Sequence, residues 1–127
     1  MIVLDASAAV SALLNDGQAR RYLSDESIHA PHLVDVEVLS ALRRQVNAGR
    51  LAADHAHPAL KVWKRIGLIR YAATPLMDRV WELRASVNAY DAVYVALAEN
   101  LGCALVTADA RLAGAHGPRC AVAVVPD

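Results

Sequence analysis

The sequence predicts an α/β layered domain built on a parallel sheet, and three observations carry that prediction. Short apolar runs of strand length alternate with segments of helical periodicity, the pattern of βαβ units. Those runs are continuously apolar rather than alternating, as in strands covered on both faces. The chain has 127 residues, 56% hydrophobic and 20% charged, which suits a single domain over 1–127 and excludes an intrinsically disordered chain. About one residue in five is Ala and Phe is absent, a bias toward helices with small contact faces.

Each element has its own signal. Ile2-Val3-Leu4 is an apolar run ending in Asp5 and reads as a buried strand. Ala6 to Leu14 is apolar almost throughout, with Ser7 placed to cap a helix, and Asn15-Asp16-Gly17 is a turn. Gln18 to Ser24 forms a second short helix, and Ile28-His29-Ala30 a strand stopped by Pro31. Residues 33 to 47 carry apolar groups at 34, 38, 39, 41, 42 and 46, a helical spacing that Gly49 ends. Residues 51 to 66 repeat it less cleanly up to Gly67, before a strand at Leu68-Ile69-Arg70-Tyr71. Pro75 suits the first position of a helix running to about Val87. Tyr90 to Leu101 is a strong helix ended by Gly102, followed by the strand Ala104-Leu105-Val106. A helical turn at Arg111 to Ala113 and a strand at Ala121 to Val125 complete the chain.

Composition narrows the function. Thirteen basic and thirteen acidic residues cancel, so any nucleic-acid contact must use a local patch rather than a global positive charge. A net charge of zero also predicts modest solubility alone and room for a partner. No apolar run reaches membrane-spanning length, the first residues lack a basic leader region, and Cys103 and Cys120 form no CxxC pair. The expected location is the cytoplasm, with both thiols reduced.

Ligands of open α/β sheets bind beyond the carboxyl ends of the strands. Two strands here run into an acid at that end: Asp5 directly, and Asp109 after Thr107-Ala108. Asp91 opens the most regular helix, where the helix dipole favours a carboxylate, and Glu37 lies within the apolar stretch Leu33 to Leu42. Each has a plain structural alternative: helix caps for Asp5 and Asp109, a first-turn charge for Asp91, a surface position for Glu37. Together they suggest one site. Clustered carboxylates raise each other's pKa and stay ionised when a cation neutralises them. An all-oxygen set suits Mg²⁺ or Mn²⁺.

The motifs themselves resemble a known family. Ile2-Val3-Leu4-Asp5-Ala6-Ser7, the segment Pro31 to Leu42 around Glu37, Tyr90-Asp91-Ala92-Val93-Tyr94-Val95-Ala96-Leu97-Ala98 and Val106-Thr107-Ala108-Asp109-Ala110-Arg111-Leu112 occur in order. They are similar to the motifs of the PIN-domain ribonucleases, most closely the VapC toxins of bacterial toxin–antitoxin pairs. The resemblance covers nearly the whole chain. It implies a three-layer α/β/α fold with four or five parallel strands, and Mg²⁺- or Mn²⁺-dependent endoribonuclease activity. It also implies a site of Asp5, Glu37, Asp91 and Asp109, with the Thr107 hydroxyl beside it. An RNA substrate, a cognate VapB-type antitoxin and a toxin homodimer are the implied partners. Ser40 departs from the family, which often has Asn three residues after the glutamate.

The expected mechanism is attack of a metal-activated water on phosphorus, because no Ser-His-Asp or Cys-His motif offers a covalent route. Asp5 and Asp91 would hold the main ion, and Glu37 and Asp109 would position water or complete a second ion's shell. Two other readings compete. A phosphatase using Asp5 as nucleophile is disfavoured because Ser7, not an acid, follows two residues on. A non-catalytic RNA- or protein-binding module would have the acids as caps only. Arg43, Arg44 and Arg50, and Lys61, Lys64 and Arg65, are either phosphate contacts or solvated helix faces. Trp63 and Trp81 read as packing anchors before base-stacking platforms, Tyr94 as lining the site or packing beneath it, and no histidine pair has zinc-ligand spacing.

Overall fold

The computed structural model describes residues 1–126. It contains β1 (Ile2–Leu4), α1 (Ala6–Leu14), α2 (Gln18–Asp25), β2 (Ile28–Pro31), α3 (Leu33–Asn47), α4 (Ala53–Arg65) and β3 (Leu68–Tyr71). A 3₁₀ turn (Thr74–Leu76), α5 (Met77–Glu82), α6 (Ala89–Leu101), β4 (Ala104–Thr107), α7 (Ala110–Ala113) and β5 (Val122–Val124) follow. All five strands are parallel, in the order β3-β2-β1-β4-β5. The first strand of the chain therefore lies at the centre, with Val3 opposite His29 on one side and Leu105 on the other.

Burial follows that order. Val3, Leu4, Leu105 and Val106 are completely buried, whereas the edge strands β3 and β5 are part-exposed. Helices α1 to α4 pack on one another, with α1 against β4 and α3 against β2. Helix α6 crosses β1, β2 and β4 and packs on α5. The result is the three-layer α/β/α arrangement. Seven consecutive residues of α6, Ala92 to Ala98, are buried, so this helix has no free polar face, as expected of one enclosed in a core. Its N-cap is Asn88, whose side-chain oxygen accepts from the Asp91 amide at 2.9 Å. Its C-cap Gly102 sits at φ 67°, the left-handed conformation that ends helices.

Three local expectations need correction. The cap of α1 is Asp5, not Ser7: Asp5 has extended backbone, and its Oδ1 accepts from the Ala8 amide at 3.0 Å. Ser7 is already inside the helix, where a capping geometry is unavailable. Pro31 does not stop β2 early but pairs with Tyr71 as its last residue, a strand-end place where its missing N–H costs little. The helix expected from Pro75 to Val87 divides into a 3₁₀ turn, six residues of α5, and turns over 83–86. Tertiary bonds override helical propensity here. Arg79 pairs with Glu99 and donates to the Gly117 carbonyl at 2.9 Å, and Ser86 Oγ donates to the His116 carbonyl at 2.6 Å.

That junction yields a prediction. Gly117 has φ 102°, and a Cβ there would lie 3.0 Å from Leu83 Cδ2 and 3.2 Å from Ser86 Oγ. Gly117→Ala should cost about 2 kcal/mol in urea unfolding, from a disfavoured backbone and a close contact together. Gly49→Ala, at φ 72° in open space, should cost about half of that.

Candidate active site

The acids converge because of the sheet. Asp5 follows the central strand, and its amide donates to the Val106 carbonyl of β4 at 3.1 Å. Strand β4 thereby carries Thr107 and Asp109 to the same edge. The first turn of α6 supplies Asp91, and the second turn of α3 supplies Glu37. All four carboxylates line one cleft of about 190 Å³. Thr107, completely buried, stands directly beneath Asp5 as part of its hydrogen-bond shell.

Asp5 is the most enclosed of them. Its Oδ1 accepts from Ser7 Oγ at 2.6 Å and from the Ala8 amide, and its Oδ2 accepts from Thr107 Oγ1 at 2.5 Å. Thr107 Oγ1 in turn accepts from the Asp109 amide at 3.0 Å, and Ser7 Oγ accepts from the Ala108 amide at 2.9 Å. This small network joins the ends of β1 and β4 and leaves the carboxylate no rotational freedom.

Electrostatics separates the acids. Burial pushes the Asp5 carboxyl above its ordinary pKa against the pull of its hydrogen bonds, and the Asp91 charge adds to the rise. Burial raises Glu37 as well; the Tyr94 bond opposes this, and the charges of Asp91 and Asp5 reinforce it. Asp91 is raised by burial, opposed by Asn88 and reinforced by Asp109. Asp109 behaves oppositely. The Arg111 guanidinium holds it below the usual carboxylate range through contacts of 3.1 Å to each oxygen. Asp109 is also the cap of α7, accepting from the Arg111 amide at 3.0 Å. The capping alternative therefore describes Asp5 and Asp109 correctly without removing either from the cleft.

Tyr94 lines the cleft as its place one turn after Asp91 suggests, whereas its bond to Glu37 and the Asn88 cap were not read from the sequence. Tyr94, buried, donates to Glu37 Oε1 at 2.7 Å, and burial followed by the Glu37 contact pushes its phenol far up. Its position three residues after Asp91, on the same helix face, was the available signal. Asn88, three residues before Asp91, was a readable capping signal. Arg44 lines the cleft as well, whereas Arg43 lies between α3 and α4 and Arg50 near α1. The histidines stand apart from it. His29 is buried in β2 between Tyr71 OH, 2.6 Å from Nδ1, and Ser27 Oγ, 3.1 Å from Nε2. His32 borders a separate apolar groove of about 720 Å³ with Trp81 and Tyr90. Trp63 is the packing anchor expected, its Nε1 donating to Asp35 at 2.8 Å. Trp81 is not: it is 67% exposed, with Arg84 over its ring at 4.5 Å.

The donor set can be tested against a metal ion. Every ligating group of the cleft is oxygen, and among the described residues no three His, Cys, Asp or Glu side chains converge into a ready-made cage. Mg²⁺ keeps most of its water shell and takes one or two carboxylates directly. An open cleft lined by four carboxylates, three of them raised chiefly by burial, fits such an ion, and it offers no thiolate or imidazole for a softer one.

The family model of the PIN domain matches residues 2–117. The chain belongs to the PIN-domain family. Its curated relatives place it in the VapC branch. "Ribonuclease VapC9" of Mycobacterium tuberculosis is 54% identical over 126 residues, covering 99% of each chain. Solved structures share the fold. A Pyrobaculum aerophilum protein superposes with a TM-score of 0.71 at 24% identity, over 95% of this chain and 81% of that one. VapBC2 from Rickettsia felis, solved bound to a DNA fragment from its promoter, gives a TM-score of 0.66 at 16% identity, over 98% and 99%. In this PIN domain the motif residues singled out from the sequence all face or underlie one cleft. No helix among the described residues is long and apolar enough to cross a membrane.

Proposed function

We propose that this single PIN domain, spanning 1–127, is a Mg²⁺- or Mn²⁺-dependent endoribonuclease. In this reading it is the toxin of a type II toxin–antitoxin pair and acts in the cytoplasm. The observation that carries it is the convergence of Asp5, Glu37, Asp91 and Asp109 on one cleft, in a chain half-identical to a named VapC ribonuclease. The cognate VapB-type antitoxin and a second copy of the chain complete the set of partners. The exposed Met77, Trp81 and Tyr90 of the apolar groove provide surface that a protein partner would cover.

In this mechanism Asp5 and Asp91 would hold the ion. The bound ion would supply a water of lowered pKa and positive charge for the developing phosphate oxygens. The chain's own residues set the geometry. Thr107 and Ser7 lock Asp5, so its carboxylate needs no reorganisation during the reaction. Tyr94 fixes Glu37 Oε1 and leaves Oε2 to accept a proton from, or orient, the attacking water. Asp109, clamped by Arg111, contributes negative potential from the rim. In an in-line displacement the water oxygen bonds to phosphorus as the bond to the ribose oxygen opposite it breaks, the water proton passing to Glu37 and the departing oxygen taking one from solvent.

The test is cleavage of total bacterial RNA by the purified chain with Mg²⁺ or Mn²⁺, repeated in EDTA. Discrete fragments that EDTA abolishes support the reading, and cleavage indifferent to EDTA overturns its metal dependence. Thermal unfolding supplies a second, activity-free readout. Carboxyls with raised pKa stabilise the fold while protonated and lose that contribution as pH rises through the raised value. Mg²⁺ should offset that loss, so it should raise Tm more at pH 7.5 than at pH 5. At ten times its Kd, binding adds about 1.4 kcal/mol, or about 5–6 °C for a domain of this size.

A further inference from the structure

We propose that Arg44 is the phosphate-binding residue of this cleft and that Ser40 positions it. The inference rests on the ribonuclease reading above and adds to it the group that draws RNA into an acidic site. A phosphodiester approaching four carboxylates is repelled unless positive charge meets it, and a side-chain cation would add to that of the bound ion. Among the described residues Arg44 is the one cationic side chain that lines the cleft. Arg70, Arg79 and Arg111 are each neutralised by a carboxylate, but Arg44 forms no ion pair among the described residues. Its charge reaches Glu37, whose carboxyl it pulls downward, without bridging to it. Its Nη1 instead donates to Ser40 Oγ, one helical turn earlier, at 3.0 Å. That bond uses one of five guanidinium N–H donors, and the side chain is exposed.

The arrangement suits a non-bridging pair of phosphate oxygens, which a guanidinium fork binds bidentately. It also gives the departure at position 40 a consequence. A hydroxyl is short enough to tether the guanidinium at the rim while holding it back from Glu37 and Asp91. Arg44 and Ser40 line the cleft from α3, which also carries Glu37, and Asp109 lines it from beyond the end of β4. An RNA phosphate held by Arg44 would therefore sit at the mouth of the same cleft as the acids.

The experiment uses three variants of this site, and an Asp5→Asn background, in two assays. In cleavage of total RNA, Arg44→Gln should raise KM about tenfold or more with a smaller change in kcat, and Ser40→Ala should raise KM by about threefold. Arg44→Lys should restore part of the loss, since it keeps the charge but not the fork. In the second assay the Asp5→Asn chain binds a fluorescent single-stranded RNA dodecamer, with and without Arg44→Gln. The Arg44 change should weaken binding and reduce the slope of log K against log salt by about 0.7, the loss of one phosphate contact on a single strand. Unchanged KM together with an unchanged salt slope overturns the proposal. Should the parent chain fail to cleave RNA, the ribonuclease reading has failed separately. The binding assay then decides alone, and equal affinity with and without Arg44 overturns it.

Discussion

Asp5→Asn should abolish RNA hydrolysis, by on the order of 10³-fold or more in kcat, and leave a more stable protein. The two effects have one cause. Asp5 is 6% exposed, and burial lifts its carboxyl above the ordinary range. A group shifted upward favours the fold below its ordinary pKa, and that contribution disappears as pH rises through the raised value. At neutral pH the native chain carries a buried negative charge that Asn does not. The hydrogen bonds survive the exchange. The amide oxygen still accepts from the Ala8 amide and Ser7, and the amide nitrogen donates to Thr107 Oγ1, which turns to accept. In EDTA at pH 7, Tm should rise by about 4 °C, the size of about 1 kcal/mol here. The gain should shrink as pH falls toward 4. A neutral-pH Tm below that of the native chain would refute the account of Asp5 as a strained charge.

Thr107→Val should damage both stability and activity. Valine has nearly the same shape and suits a buried strand, so the change removes chemistry and little volume. The lost hydroxyl donates to Asp5 Oδ2 and accepts from the Asp109 amide. Thr107 is fully buried and its bond to Asp5 is buried with it, while the bond from the Asp109 amide is part-buried. Leaving buried polar groups unpaired costs about 2–3 kcal/mol in total, a fall in Tm of about 8 °C or more. Cleavage should drop about 10²-fold, and its rise with pH should move to higher pH, because Asp5 loses a bond that favours its ionised form. Thr107→Ser keeps the hydroxyl and should lose less than about 1 kcal/mol. A serine variant as impaired as the valine one would show that the methyl group, not the network, matters at this position.

The parts of this PIN domain that could be read in advance are those whose signal is local. Ile2-Val3-Leu4 followed by Asp5 is a strand and a strand-end acid because its neighbours in sequence say so. Tyr90 to Leu101 is a helix because apolar residues crowd it on every side, and burial of Ala92 to Ala98 is the same fact seen in three dimensions. The bond from Tyr94 to Glu37 spans 57 positions, and nothing near either residue announces the other. Helix α5 is shorter than its propensity because Arg79 and Ser86 are claimed by residues 116 and 117, a segment that local periodicity does not sense. Arg44 could be placed on a helix face but not over a cleft, since that depends on how α3 settles against β2. Arg111 sits two residues from Asp109, close enough in sequence to suggest a pair, yet only the turn geometry of α7 makes it a clamp.

The strand order has a consequence for how such a protein comes into being. The hydroxyl that completes the surroundings of Asp5 belongs to Thr107, 102 positions further along the chain, and is made well after it. Strand β1 lacks β4 as its neighbour until the chain has reached Ala104, the partner of Ile2. A nascent chain, or one cut short before β4, holds its first acid without the cleft around it. The complete cleft is thus delayed until β4 has been made. The same long-range pairing is slow to form, so the acids come together only once the two ends of the sheet have met.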